Sequence, residues 1–463
     1  MSAPMMAHAA RARPRALRAL AAVALLALPA VPLSAQQPAP RALSLADALR
    51  LAERGNPAYR QVANDVDVSE AQRRRARATF LPTLSANMSF NGSGSQTLTG
   101  TDDFGNPIRG ERRTVRSSSA SQGLGLNMLV FDGGGRERRL GVASQQVVAA
   151  EAAAGAQRSA LHAQVAQQYY RAVDAAARIA LEQRLLAAAR DQYEATQRRY
   201  GIGAARREDL LGAETEVADA EARLENARGE AGKARLLLRQ YVGLEDDAPL
   251  TLTDSIPRPA LADSLDADSL VRVALAANPV LDAAAARAEV AERTAAAERG
   301  GRWPRVLASA GYSRSDQSRD FGSFFDVTPA GSRGFSFSLS TSLPLFDGFQ
   351  LGAQLAGLDA QAEDARQALR AERLRLEQEV RSAVIDVENA RRGLRLAERS
   401  AALNRERIAL TQERYEVGGL DYIVLQTVLG QAAAAERQEM TARLQLANAW
   451  VALQEKLGAP VLP

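Results

Sequence analysis

Few side chains in this sequence are equipped for chemistry, and their spacing argues against catalysis. Cysteine is absent and histidine occurs only at His8 and His162. That removes thiol nucleophiles, disulfides, thiolate metal sites and a lipid-bearing N-terminal cysteine. His162 stands in an Ala/Gln-rich helical stretch, where a packed or solvated ring is expected. Glu208, Asp209, Glu214 and Glu216 fall at helical spacings with arginines among them, the pattern of a solvated face. The glycines of FDGGG at 131–135 could suggest a phosphate loop, but no GK[ST] and no βαβ context accompany them. Their expected use is a joint between strand and helix, with Pro82, Phe131, Asp132 and Gly133 around one joint and Pro304, Phe346, Asp347 and Gly348 around another. What remains is Arg199, Tyr200, Gly201 and Gly203 in RYGIG, and Arg414, Tyr415 and Gly418 in RYEVG. Glycine suits a tight turn between helices, and cations and phenols at such a tip provide contact chemistry for docking, not bond-making. The expectation is a protein that is not an enzyme and holds no cofactor or metal.

Those two tips belong to a larger duplication. Asn56-Pro57 returns as Asn278-Pro279, and Phe80-Leu81-Pro82 as Arg302-Trp303-Pro304, each 222 residues later. FDGG at 131–134 returns as FDGF at 346–349, RYGIG as RYEVG, and Gly243 of YVG as Gly458 of KLG, all at an offset of 215. A constant register over more than a hundred residues marks an internal repeat. The expected units are 41–250 and 263–463, joined by a Pro-containing linker at 251–262.

The first 35 residues have the order of an export signal: Arg11, Arg13, Arg15 and Arg18, an apolar run from Leu20 to Leu33, and small residues up to a cut after Ala35. Pro29 and Pro32 interrupt the run, which argues against a membrane anchor. Without those four arginines, 54 of the 58 basic residues remain against 54 acidic ones, so the charge gives no reason to expect a nucleic-acid partner. No later apolar stretch approaches the length of a membrane helix, so any membrane crossing must use strands.

The periodicity supplies such strands. Leu84, Ala86, Met88 and Phe90 alternate with Ser85, Asn87, Ser89 and Asn91, and Leu124, Leu126 and Met128 alternate with Gly125 and Asn127. The second unit repeats this with Val306, Ala308, Ala310 and Tyr312, then with Phe335, Phe337, Leu339 and Leu343 set against serines. The expected strands are 82–91, 121–131, 304–314 and 334–346, with polar loops over 92–119 and 316–333. Behind each strand pair lies a proline-free stretch, 132–200 and 347–415, long enough for a helix of about 100 Å. Its apolar residues, Val380, Ala383, Val387, Ala390, Leu394, Ala397 and Ala401, step by three and four, the repeat of supercoiled helices. Glycine turns then return the chain, giving helical hairpins over 132–242 and 347–458.

Strands of about ten residues with one apolar face suit an outer-membrane barrel. Four strands cannot close a barrel, and an open sheet would leave edge amides unsatisfied in lipid. Several chains must therefore share one barrel: two would give eight strands, and three would give twelve and a pore.

The order of these features resembles the TolC-like outer membrane efflux proteins over nearly all of 41–463. The resemblance implies a mixed fold of membrane β-barrel plus α-barrel, with four strands per chain completing a twelve-stranded barrel in a homotrimer. It implies a location in the outer membrane, extending into the periplasm. It also implies a passive exit duct for a tripartite efflux pump or type I secretion system, joined through a periplasmic adaptor protein to an inner-membrane pump or ABC transporter. A periplasmic coiled-coil adaptor or scaffold is the alternative; it explains the hairpins but neither the strands nor the duplication. By the same resemblance the tips around Arg199, Tyr200, Arg414 and Tyr415 dock the adaptor. Well-known members carry an arginine and two carboxylates after the second long helix, where this chain has Leu420, Val424 and Thr427. The expected aperture gate is therefore Arg206, Arg207, Asp209 and Tyr415, with an apolar collar from Leu420 and Val424.

Overall fold

A computed structural model describes residues 41–98, 103–104, 106, 112–245, 248–259, 265–318, 332–417 and 419–459; the expected leader and Gly418 lie outside them. Each repeat begins with two short helices, α1 (Leu45–Gly55) and α2 (Pro57–Ala78), and α5 (Ala267–Ala277) and α6 (Pro279–Glu298). Ser44 caps α1 through Asp47 N–H at 3.1 Å. Asn56 and Asn278 cap α2 and α6, each with proline at the first turn, where its missing N–H costs nothing. Just before α1, strand β1 (Arg41–Leu43) pairs in parallel with β4 (Leu250–Leu252). The stretch expected as a plain linker thus begins as a strand, and the Tyr169 hydroxyl helps to hold it. That hydroxyl donates to Leu43 O at 2.9 Å and accepts from Asp254 N–H at 3.1 Å.

The four alternating stretches form one antiparallel sheet in the order β2 (Thr83–Leu98), β3 (Arg112–Phe131), β5 (Arg305–Ser318) and β6 (Ser332–Ser342). In register, Leu84, Leu126, Ala310 and Phe337 share one row, and Ala86, Leu124, Tyr312 and Phe335 the next, so these apolar residues fall on one face; Leu129 and Leu307, near the helix joint, are on the other. The other face carries hydroxyl pairs: Ser89 with Ser121 at 2.7 Å and Ser309 with Ser338 at 2.6 Å. The apolar face is open, with Phe335 88% and Phe337 77% exposed.

Several expected boundaries change. The loop expected over 92–119 is partly strand, because the ladder continues unbroken to Leu98 opposite Arg112; likewise β5 reaches Ser318 and β6 starts at Ser332. Small hydroxyl residues keep the two-residue period there without needing an apolar face. At its other end β6 stops at Ser342 and not at Phe346, just ahead of Pro344, which has no N–H to donate to a ladder.

The long helices α3 (Gly135–Gly201) and α7 (Gln350–Glu416) have 67 residues each, and α4 (Arg207–Val242) and α8 (Tyr422–Leu457) run back beside them. Val380, Ala383, Val387, Leu394, Ala397 and Ala401 are buried, as their spacing requires. The main core gathers α1, α3, α4 and α8 around Leu45, Tyr169, Leu238 and Val451. The two hairpins meet along α3 and α8, where Arg437 grips the buried Glu182 at 2.7 and 2.9 Å and Arg178 reaches Thr441 at 2.9 Å. Among the described residues no single helix is long and apolar enough to cross a membrane.

Candidate functional site

The expected site residues fall into two groups at opposite ends of the long helices. At the far tips, Gly203 turns the chain with φ of 75°, and its N–H bonds Tyr200 O at 3.0 Å. The second turn closes when Gly419 N–H bonds Arg414 O at 2.9 Å. The two tips are locked together. The Arg199 guanidinium lies 4.3 Å from the centre of the Tyr415 ring and donates to Tyr415 O at 3.1 Å. With Ala213, Tyr422 and Leu425 also packed against it, Tyr415 is only 9% exposed. It does not project from the tip; it is the surface on which Arg199 rests. Tyr200, Gly201 and Arg414 do stay open.

Tyr422 completes this contact, and sequence alone did not single it out. Its ring sits 6.3 Å from that of Tyr415, in an apolar cluster with Ala213 and Leu425. Burial pushes its hydroxyl up to about 12, helped by Tyr415, Glu216 and Asp209 nearby. Gly212 lets α4 approach: a Cβ there would stand 3.3 Å from Tyr422 Cε1, and Gln426 donates to Gly212 O at 3.2 Å. An isolated glycine inside a helical pattern was the available signal.

Asp209 accepts from Arg206 N–H at 3.0 Å and so caps the start of α4. Arg206 and Arg207 are exposed beside it. Leu420 is half-buried and Val424 is 43% exposed, on a part of the α8 start that Tyr422 and Leu425 do not use for packing.

The strand–helix joints form the second group. Arg136 donates to Leu129 O at 2.6 Å and Val130 O at 2.8 Å, tying helix to strand, while Phe80 packs under its guanidinium at 4.8 Å. Buried Asp132 accepts from Arg136 N–H at 3.2 Å and from Arg139. In the second copy Asp347 accepts from Leu351 N–H at 2.8 Å. Both aspartates thus satisfy open amides at a helix start. Gly133, with φ of 68°, lies under Trp303 of the other repeat, where a Cβ would stand 2.3 Å from Trp303 Cβ. Pro82 and Pro304 immediately precede β2 and β5, while Phe346, set edge-to-face with Phe349 at 5.6 Å, and Gly348 are exposed. The FDGGG segment links β3 to α3. Among the described residues no group of His, Asp and Glu is placed to hold a metal.

A third pairing was hidden in the sequence although both partners were visible. Asn56 donates to Tyr241 O at 2.9 Å and Asn278 to Lys456 O at 2.8 Å. Each repeated Asn-Pro break thus docks on the repeated glycine end, Gly243 or Gly458, of its own return helix.

Comparison with known proteins agrees with this architecture. The sequence profile of the outer membrane efflux protein family matches residues 48–244 and 270–459. The chain is 29% identical over 364 residues to the outer membrane protein OprJ of Pseudomonas aeruginosa, covering 78% of this chain and 73% of OprJ. It is 29% identical over 356 residues to the protein CyaE of Bordetella pertussis, covering 75% of this chain and 70% of CyaE. A crystal structure of a membrane protein from Pseudomonas aeruginosa superposes with a TM-score of 0.71 at 25% identity, covering 90% of each chain. The chain therefore belongs to the outer membrane efflux protein family, as a TolC-like channel protein of the outer membrane that extends through the periplasm.

Proposed function

We propose that this protein is the exit duct of a tripartite efflux pump or type I secretion system. Three copies close a twelve-stranded barrel in the outer membrane, continuous with a helical tunnel, and substrates leave passively. The observation that carries the reading is the sheet: four strands, with β2 and β6 at its edges and one face carrying an open apolar band from Met128, Ala308 and Leu339 to Leu124, Tyr312 and Phe335. Unpaired strand edges are not tolerated in lipid, and joining β6 of one copy to β2 of the next removes both. The helices support the same assembly. Leu374, Ile385, Leu396, Leu403 and Leu410 of α7 are all more than half exposed, at spacings of 11 and 7 residues. A helical stripe of that period is an unfilled helix contact.

On this reading the tips dock a periplasmic adaptor, itself joined to an inner-membrane pump or ABC transporter. The resting aperture is held by the Arg199–Tyr415 clamp, and Asp209, Arg206, Arg207, Leu420 and Val424 line it. Fractionation followed by native mass measurement in detergent tests the assembly. The expected result is an outer-membrane species of three chains. Monomers or dimers alone would refute it.

A further inference from the structure

On β3, β5 and β6 the outward face of the sheet changes character in a single step, while on β2 it stays apolar through Met88 and Phe90. Beyond the row of Leu126, Ala310 and Phe337 comes that of Leu124, Tyr312 and Phe335, in which the two aromatic rings touch at 4.9 Å. Aromatic residues at the limit of an apolar band mark the level of the membrane–water interface. The next row on the same face is Met88, Gln122, Arg314 and Arg333. Two arginines are thus directly opposed on neighbouring antiparallel strands. Like charges in that position destabilise a strand pair, and the tyrosine and phenylalanine below carry no counter-charge. Asp316 occupies the following position of that face on β5. Arg314 interacts with a neighbouring group, while Arg333 is exposed on the edge strand.

We infer that Arg314 and Arg333, with Gln122 beside them, form a binding site for the phosphate of an anionic lipid headgroup in the outer leaflet. The inference rests on the proposed barrel, with its apolar face toward lipid and its helices in the periplasm. A phosphate oxygen fork matches the guanidinium geometry, and an anion between the two arginines turns their repulsion into attraction. Its height is that of the headgroups, directly above the aromatic row, where basic side chains attract anionic lipid. The chemistry required is an anion attached to a lipid, because the site opens sideways onto the apolar face.

The test uses the purified full-chain assembly in neutral detergent and a fluorescent, doubly phosphorylated lipid A as probe. Unlabelled phosphorylated lipid A should displace the probe about tenfold or more better than the same lipid stripped of phosphate, the scale of hydrogen bonds to an ionised group. The Arg314→Gln/Arg333→Gln double variant should assemble and lose that preference, and Arg333→Lys should keep part of it. Inorganic phosphate should not compete. Should the double variant fail to assemble, Arg333→Gln alone, at an exposed edge position, should still reduce the preference. Equal displacement by both lipids, a preference surviving in the double variant, or competition by inorganic phosphate would each overturn the inference. A trimer that shows no phosphate preference defeats this inference alone. Absence of any trimer defeats the barrel reading as well.

Discussion

Gly243 and Gly458 end the two return helices at φ of 74° and 68°, each pressed against the Asn-Pro break of its own repeat. A Cβ at Gly243 would stand 2.3 Å from the carbonyl carbon and oxygen of Gly55 and 2.9 Å from Asn56 N. One at Gly458 would stand 2.5 Å from Ala277 O. These contacts are backbone, so no side chain can swing aside. Placing alanine in the left-handed region costs about 1–2 kcal/mol, and overpacking adds about 1–3 kcal/mol. Gly243→Ala and Gly458→Ala should therefore each destabilise by about 2–5 kcal/mol. Gly229, exposed on α4 with nothing within 4 Å of its Cβ position, is the control. Gly229→Ala should be neutral or stabilise by up to about 1 kcal/mol. Loss of helical circular dichroism on heating the detergent-solubilised protein separates the two outcomes. If Gly243→Ala unfolds together with Gly229→Ala, the close backbone approach is not what holds the joint.

Arginine at Leu126, one row inside the aromatic row, should cost up to about 2–4 kcal/mol, the value reached at the membrane midplane, and arginine at Asn127, on the hydroxyl-lined face, much less; equal yields of folded protein in the outer membrane would contradict the assignment of faces. Arg437 holds the Glu182 carboxyl below the ordinary glutamate range, chiefly by its hydrogen bonds. A lowered folded value means stability that is full above the unfolded value and lost as pH falls through the folded one. The heat-stability gap between wild type and Glu182→Gln should therefore close below about pH 4. At neutral pH it should be about 2–3 kcal/mol, less than for a fully enclosed pair because Arg437 is partly open. A gap that does not change with pH would contradict this origin. At the tips, Arg199→Met or Asp209→Ala should raise resting single-channel conductance in a planar bilayer, whereas Tyr415→Phe, which keeps the ring and carbonyl that Arg199 uses, should not. Val424→Asp should introduce block by cations, and unchanged conductance in all of these would move the gate elsewhere.

Much of this fold was legible because local periods coincide with tertiary roles. The two-residue alternation around Leu126 and Phe337 became the two faces of the sheet, and the steps of three and four from Val380 to Ala401 became the buried seam of a hairpin. Strand ends were misplaced where serine and glycine keep the period but bury nothing, since apolar alternation was the signal used. Strand β4 went unseen because three residues cannot show a period, and its partner β1 lies more than 200 residues away. The docking of Asn56 on the end of α4 was equally hidden. Repetition showed that both motifs matter, but nothing in one dimension says that they touch. The burial of Tyr415 was equally hidden, because its neighbours include Arg199, 216 positions away, and Ala213 of the other hairpin.

That contact also shows what duplication did to the tips. The repeat offers two equivalent pairings, Arg199 with Tyr415 and Arg414 with Tyr200, yet only the first is made within the chain. Arg414 and Tyr200 are left exposed on opposite hairpins. A single chain has two hairpins and hence one seam between them. A ring of three chains has six hairpins and six seams, and every second seam joins neighbouring copies. In the proposed ring of three, Arg414 and Tyr200 are expected at that second kind of seam, giving three contacts inside chains and three between them. Paired cysteines at 200 and 414 should then cross-link copies into trimers under oxidation, whereas cysteines at 199 and 415 should link only within one chain. Cross-linked monomers from the first pair would mean that the two kinds of seam are not equivalent. The duplicated sequence would then have kept its backbone while giving its two tips separate tasks.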